Sequence, residues 1–208
     1  MSLVPNGDKV DKDDKGNKAR VFFALWPDVA AAARLHDIAS RWHVGLGGRV
    51  MREDSLHATL VFIGDVATDR LATLLDLAGE IDAAAFGVAF DDAGCWRHNQ
   101  IAYLGMRRMP DALRNLQFEL ATRVQVAGFR IEQRRYSPHV TLIRKADCSS
   151  EMREKENLGE SLENKNPATE PVAWSVRDFV LVKSSINANG SRYEQIGRWP
   201  LLEDYLTP

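Results

Sequence analysis

The chain is poor in cysteine and has no excess of positive charge. Its 208 residues include two cysteines, Cys95 and Cys148, which lie far apart and form no CxxC pair. This excludes a dense disulfide framework and a structural zinc site, so we expect plain thiols and a reduced, cytoplasmic setting. The 27 Lys and Arg nearly balance the 29 Asp and Glu. Because coating long nucleic acid requires a basic excess, a nucleic-acid partner would be gripped at one end or one phosphate.

Long apolar runs are also missing. No segment approaches the ~18 apolar residues of a membrane span, and the first residues contain no signal core. We therefore expect a soluble protein with no membrane partner. Separately, we expect a monomer. Residues 1–19 are polar and without periodicity, which predicts a disordered lead before a single domain over 20–208.

The apolar pattern predicts a mixture of strands and helices. Asp28 is expected to cap the first helix, Gly64-Asp65 to break the second strand, and residues 147–170 to form a long exposed loop. The predicted strands lie near 21–26, 56–63, 86–90, 101–106, 140–143, 174–183 and 193–196, and the helices near 28–42, 68–81 and 111–126. This order is neither strictly alternating nor all-β, and it predicts an α+β fold with mostly antiparallel sheets.

Two tetrapeptides repeat one pattern in the two halves of the chain. They are His57-Ala-Thr-Leu60 and His139-Val-Thr-Leu142, and each lies in a segment with strand character. Side chains alternate across a strand, so the histidine and the threonine of each motif share one face. If the halves face each other, two imidazoles and two hydroxyls converge on one cleft.

This set of side chains matches what the opening of a cyclic phosphate requires. A base must deprotonate the attacking water and an acid must protonate the departing sugar oxygen. Imidazole can take either role near neutral pH. Thr59 and Thr141 can donate hydrogen bonds to the phosphate oxygens. A single His-x-Thr is usually an ordinary half-buried pair, whereas two copies followed by leucine favour the catalytic interpretation.

The motifs and their surroundings resemble the 2H phosphoesterase superfamily, and within it the bacterial RNA 2′,3′-cyclic phosphodiesterases, also called 2′-5′ RNA ligase-like proteins. The similarity runs from Arg20 to about Leu201. The matching segments besides the two motifs are Arg20–Leu25, Ser55–Gly64, Asp92–Trp96, Tyr103–Arg107, Ser137–Arg144, Ser184-Ser185 and Gly190–Tyr193.

The resemblance implies a bilobal fold in which two mostly antiparallel sheets with outer helices flank a cleft, related by pseudo-twofold symmetry. It implies hydrolysis of RNA 2′,3′-cyclic phosphate ends to a 2′-phosphate and a weak 2′-5′ ligase activity. Because the five-membered cyclic ester is strained and the acid, base and phosphate donors are side chains, we expect no metal or cofactor. The resemblance also implies His139 as the general base and His57 as the general acid. The expected partners are RNA ends or oligonucleotides that carry the cyclic phosphate.

The resemblance further implies that Arg144 contacts the phosphate or substrate. Simple alternation would place Arg144 on the face opposite His139, so a strand end or a bulge just after Leu142 must redirect it. Phe22 and Phe23 could offer a stacking face to a terminal base, although core packing fits both better.

The other histidines and aromatics fit structural roles better. His36, His43 and His98 lack a threonine two positions on, and Trp96 and Tyr136 fit a cleft wall or the core. Two other functions stay open: a 2H enzyme that acts on another small cyclic phosphate or a 2′-5′-linked oligonucleotide, and a non-catalytic RNA-end-binding module. A metallohydrolase is disfavoured because no third ligand adjoins either motif.

Overall fold

The computed structural model describes residues 18–132, 134–149, 171–187 and 190–203. Residues 1–17 of the predicted lead and residues 150–170 of the predicted loop lie outside these ranges. The strands and helices in chain order are β1 (Lys18–Leu25), α1 (Val29–Leu46), β2 (Arg49–Val50), β3 (Ala58–Ala67), α2 (Leu71–Gly79), β4 (Phe86–Phe90), β5 (Asp92–Trp96), β6 (Ile101–Gly105), α3 (Asp111–Val126), β7 (His139–Arg144), β8 (Val172–Val176), β9 (Asp178–Asn187) and β10 (Gly190–Pro200).

The strands form one large antiparallel sheet and a small second one. The strand order of the large sheet is β10-β9-β1-β3-β7-β6-β5, with β2 paired to β7, and β4 and β8 form the two-stranded sheet. The named strands pair antiparallel throughout. Three helices complete the α+β class predicted from the sequence.

The large sheet consists of two halves that meet at a single residue pair. Strands β3 and β7 are paired only through Ala58 and Val140, each of which directly follows a motif histidine. From Ile143 onward β7 takes β2 as its neighbour on this edge. The two halves are therefore joined directly at this one pair of the central strands.

Each half contributes a helix that packs on the motif strand of the other half. Helix α1 packs against β7 and β2, and α3 packs against β3. Asp28 caps α1 as predicted, since its carboxylate accepts a 2.8 Å hydrogen bond from the amide of Ala31. The helices bury Leu35 of α1 and Leu120 of α3 completely. This exchange leaves the opposite face of the central strands open as a cleft.

Several predicted boundaries differ from the observed ones. Strand β1 begins at Lys18, two residues inside the predicted lead. Strand β3 continues past Gly64 to Ala67, because Gly64 takes a φ of 84° and still pairs with Val21. The helix expected at 68–81 spans Leu71–Gly79 after a short 3₁₀ turn. The segment predicted as one strand over 174–183 contributes to two strands, β8 and β9.

The prediction of plain thiols is wrong, because Cys95 and Cys148 form a disulfide bond. The segment that follows β7 runs back along the β5–β6 turn, where Ala146 donates to the carbonyl of Gln100. The guanidinium of Arg97 donates to the carbonyl of Cys148. These contacts bring the two Cα atoms to 5.8 Å, within the range of a disulfide. The bond also removes the argument that cysteine usage gave for a reducing compartment.

No helix in the described part of the chain is long and apolar enough to cross a membrane.

Candidate active site

The pair that joins the two lobes also brings the motifs together. Continuing the register of Ala58 and Val140 by one residue places His57 opposite Thr141 and Thr59 opposite His139. All four side chains then share one face of the sheet. Diagonal partners in a regular antiparallel sheet have Cβ atoms about 7–8 Å apart, and the divergence of the strands here widens that space. The two imidazoles thus lie on one face of the sheet, diagonally across the lobe junction.

Both histidines are held by the same local hydrogen bond. The Nδ1 atom of His57 lies 2.8 Å from the carbonyl oxygen of Ser55, and Nδ1 of His139 lies 2.8 Å from that of Ser137. A carbonyl oxygen only accepts, so Nδ1 carries the hydrogen in each ring. The Nε2 atom is left to exchange a proton. The backbone therefore sets both imidazoles in the tautomer that acid and base catalysis use.

Aromatic rings surround each imidazole. His57 stacks on Phe22 at 4.9 Å and on Trp26 at 5.2 Å, and Tyr193 meets it edge-on at 5.0 Å between ring centroids. His139 contacts Trp96 edge-on at 4.5 Å. These contacts hold both rings in place, and the stacked rings of Phe22 and Trp26 shield His57 from water.

This environment favours the neutral form of both imidazoles. The pKa of His57 is lowered to about 4, mainly by burial and in addition by the positive charges of Arg144 and His139, while the hydrogen bond to Ser55 opposes the shift. Burial also lowers the pKa of His139, with smaller contributions from Arg134 and Arg144. A bound phosphate anion would oppose these shifts, because negative charge stabilises imidazolium.

A bulge in β7 places Arg144 on the cleft face. In the pairing with β6, Ala102 lies opposite Ile143 and Tyr103 opposite Thr141, so Leu142 is the additional residue. The bulge reverses the alternation after Thr141, which turns Arg144 to the same side as the motif side chains. A bulge was expected near Leu142 because simple alternation would turn Arg144 away from the cleft, and the structure has it at Leu142.

The first motif strand contains the corresponding bulge. Strand β1 pairs Phe23 with Val61 and Ala24 with Thr59, so Leu60 is the additional residue there. The residue that corresponds to Arg144 is then Phe62, which is 38% exposed. Aligning the hexapeptides that begin at His57 and His139 would have revealed this match, since each places a buried aliphatic residue before the cleft residue.

A groove of about 500 Å³ opens beside His57. Arg144 lines it, and the Nε atom of Arg144 is buried without a hydrogen-bond partner. A buried donor without an acceptor is costly, and an anion in the groove would satisfy it. The groove is lined by three arginines, Arg20, Arg49 and Arg144, together with Phe22, His57, Thr59, Phe62, Ser184, Ser191 and Tyr193.

A smaller cavity of about 120 Å³ lies on the His139 side. Its walls include Thr59, Phe62, Trp96 and Tyr136. Thr59 and Phe62 border both spaces, so the groove and the cavity meet at the first motif strand.

The structure brings together all five candidate residues and leaves the other histidines outside the cleft. His57, Thr59 and Arg144 line the groove, His139 lines the adjoining cavity, and Thr141 shares their face. His36 and His43 instead bond carbonyl oxygens of Met51 and Gly47. Phe23 lies in the core, whereas Phe22 also stacks on His57.

Two aromatic neighbours of His57 were not predicted. Trp26 and Tyr193 come from the end of β1 and from β10, which are distant in sequence, so neither contact could be read from the motif. Among the residues described, no group of three His, Cys, Asp or Glu side chains is placed to hold a metal ion.

Fold and site together define a two-histidine phosphoesterase with a cleft between two similar lobes. A family model described as LigT-like phosphoesterase matches residues 25–103 and 104–193. The chain belongs to this family, as the two His-x-Thr motifs predicted.

Named relatives agree with this assignment. An RNA 2′,3′-cyclic phosphodiesterase of Escherichia coli is 31% identical over 187 residues, which covers 88% of this chain and 97% of the relative. A protein of the same name from Archaeoglobus fulgidus is 22% identical and covers 85% of this chain and 97% of the relative.

Solved structures show the same fold. Escherichia coli LigT in complex with 3′-AMP superposes with a TM-score of 0.72 at 29% identity, covering 88% of this chain and 98% of that one. A protein of Thermus thermophilus has a TM-score of 0.69 at 19% identity, covering 89% and 100%, which supports the fold alone.

Proposed function

We propose that this protein hydrolyses RNA 2′,3′-cyclic phosphate ends to 2′-phosphates. The observation that carries the proposal is the pair of imidazoles at the lobe junction, each with Nδ1 on a carbonyl oxygen and Nε2 left for proton transfer. The relatives that bear the name RNA 2′,3′-cyclic phosphodiesterase support it at 31% identity over most of the chain.

In the proposed reaction His139 is the general base and His57 the general acid. Nε2 of His139 takes a proton from water, and the water oxygen forms a bond to phosphorus. The bond from phosphorus to the 3′ oxygen breaks as Nε2 of His57 gives its proton to that oxygen. Thr59 and Thr141 donate hydrogen bonds to the phosphate oxygens, where charge is concentrated in the transition state. The acid, the base and the phosphate donors are side chains, so the proposal requires no metal or cofactor.

Incubation of the protein with a 2′,3′-cyclic-phosphate oligonucleotide in EDTA tests this mechanism. We expect a 2′-phosphate product, and a His139→Ala preparation controls for contaminating nuclease. Sustained loss of turnover in EDTA that zinc or manganese restores would overturn metal independence. Faster cleavage of 2′-5′-linked dinucleotides would instead favour a different substrate of the same chemistry.

The proposal extends to the setting of the reaction. We expect a monomer, with RNA ends as the partners and weak 2′-5′ ligation as the reverse reaction. We place the protein in the cytoplasm on the basis of the RNA substrate alone, because the Cys95–Cys148 bond is typical of oxidising compartments. Cell fractionation and light scattering test the location and the monomer.

A further inference from the structure

The groove beside His57 contains more positive charge than the reacting phosphate can neutralise. Arg20, Arg49 and Arg144 all line it, and its lining includes no carboxylate among the described residues. None of the three arginines has an ion-pair partner in the part of the chain that the structure describes. A cyclic phosphodiester carries one negative charge, so bound substrate would leave about two guanidinium charges unbalanced.

The fold holds two of these arginines side by side. Arg49 of β2 lies directly opposite Arg144 of β7. Gly48 permits this approach, since a Cβ atom there would come within 2.6 Å of the Arg144 carbonyl oxygen. Like charges that face each other across strands are destabilising. Anions bound in the groove reduce this repulsion, so the groove favours negatively charged ligands at both arginines.

Arg49 starts at the same distance from the lobe junction as Arg144, but unlike Arg144 it is not among the charges that shift the pKa of either imidazole. Its partner Arg144 is four residues beyond Val140, and the bulge at Leu142 takes up one of these. Three regular steps correspond to roughly 10 Å along the strand. Arg144 reaches back towards His57, whose pKa its charge lowers. Arg49 therefore faces a part of the groove beyond the reacting centre.

We propose that Arg49 forms a second phosphate subsite, which binds the 5′-phosphate of the nucleotide that carries the cyclic phosphate. This inference rests on the proposed function and names its substrate class: RNA chain ends rather than free 2′,3′-cyclic nucleosides. In an RNA chain that 5′-phosphate links the terminal nucleotide to the preceding one. Arg20 faces this subsite from β1, where its guanidinium lies 5.2 Å from the ring centre of Phe62.

A pair of substrates that differ in one phosphate tests the subsite. We compare kcat/KM for adenosine 2′,3′-cyclic phosphate with kcat/KM for its 5′-phosphorylated form. The 5′-phosphate is expected to raise kcat/KM on the order of 10-fold, as one charge-assisted hydrogen bond would. Arg49→Gln should reduce that ratio to near one, because it lowers kcat/KM for the 5′-phosphorylated substrate far more than kcat/KM for the 5′-hydroxyl substrate. Arg41→Gln, an equal loss of charge on the surface of α1, should keep the ratio.

Two results would overturn the subsite. One is a wild-type ratio near one, and the other is an Arg49→Gln variant that loses activity equally on both substrates. Binding of the products separates this failure from failure of the proposed function. Calorimetry with adenosine 2′-phosphate and adenosine 2′,5′-bisphosphate should give the same Arg49-dependent preference even if neither cyclic compound is turned over. Equal dissociation constants for the two products would refute the subsite directly.

Discussion

The first motif strand continues from Thr59 to Phe62, whereas the second continues from Thr141 to Arg144, over matching bulges at Leu60 and Leu142. The two motif strands therefore share the same bulge, and the cleft is made asymmetric by the side chains that follow it. One wall presents an aromatic ring and the other a guanidinium. Such a cleft can bind a substrate in one orientation, although its catalytic groups are paired symmetrically.

The halves also differ in how they enclose their histidines. His57 lies against the faces of Phe22 and Trp26, while His139 meets the edges of Trp96 and Tyr103. The second half alone is closed by a disulfide, and Cys95–Cys148 encloses β6, α3 and β7. The two halves thus have similar motif strands, but only the second half is cross-linked by a disulfide bond.

Loss of either imidazole should have the largest effect. We expect His57→Ala and His139→Ala each to lower kcat on the order of 10²–10⁴-fold, because each removes one proton transfer. In the double variant kcat should fall by much less than the product of the two single reductions, since the two groups act as a unit. Steady-state kinetics on a cyclic-phosphate oligonucleotide measures this.

His36→Ala is the matched control, because His36 also bonds a carbonyl oxygen through Nδ1 but lies outside the cleft. Near-normal turnover by the His57→Ala protein would mean that the first motif only holds the phosphate.

Removal of the disulfide should destabilise the protein. For a separation of 53 residues, the loop-closure entropy of the unfolded chain corresponds to about 4 kcal/mol. Replacing both Cys95 and Cys148 by serine should lower the free energy of unfolding by about this amount in urea titrations. Dithiothreitol should have the same effect on the wild type and none on the double variant. Equal stability of oxidised and reduced wild-type protein would show that the bond contributes nothing.

The threonines test whether both halves hold the phosphate equally. We expect Thr59→Val and Thr141→Val each to reduce kcat/KM by a factor that corresponds to about 1.5–3 kcal/mol, the value of one hydrogen bond to a charged group. Valine keeps the branched shape and removes only the hydroxyl. An unchanged kcat/KM in one of the two variants would show that only the other hydroxyl binds the phosphate.

The pH profile of kcat/KM should show how the two histidines differ. Both pKa values are lowered, that of His57 to about 4, so both limbs of the profile should lie at acidic pH. On the acid limb both imidazoles become charged and no base is present; on the alkaline limb both become neutral and no acid is present. The plot of kcat/KM against pH should therefore be bell-shaped with an optimum at acidic pH, whichever ring is the base. Arg144→Gln removes a charge that lowers both pKa values, so both limbs should move to higher pH. Unmoved limbs would show that Arg144 does not act on the imidazoles.

Features that depend on short sequence patterns could be predicted, whereas contacts between segments distant in sequence could not. The motifs, the bounds of α3 and the cap at Asp28 follow from short patterns, and all agree with the structure. The disulfide was missed because Cys95 and Cys148 meet only when the segment after β7 returns to the β5–β6 turn.

Short or irregular strands were also missed. β2 has two residues, and the sequence of β5, Asp-Ala-Gly-Cys-Trp, lacks an apolar alternation. The placement of Arg20 and Arg49 in one groove could not be predicted for a similar reason. An arginine near a strand end looks solvated until the opposing lobe is known.

The exchange of helices between the lobes has a consequence for the continuity of the chain. A cut in the turn at 97–100 would separate α1 from β7 and α3 from β3, so neither fragment would retain the helix that covers its own motif strand. The hydrophobic core of each fragment would therefore be complete only when the other fragment is bound. In the oxidised protein Cys95–Cys148 would still tether the fragments, which makes a nicked enzyme able to reassemble as a single molecule.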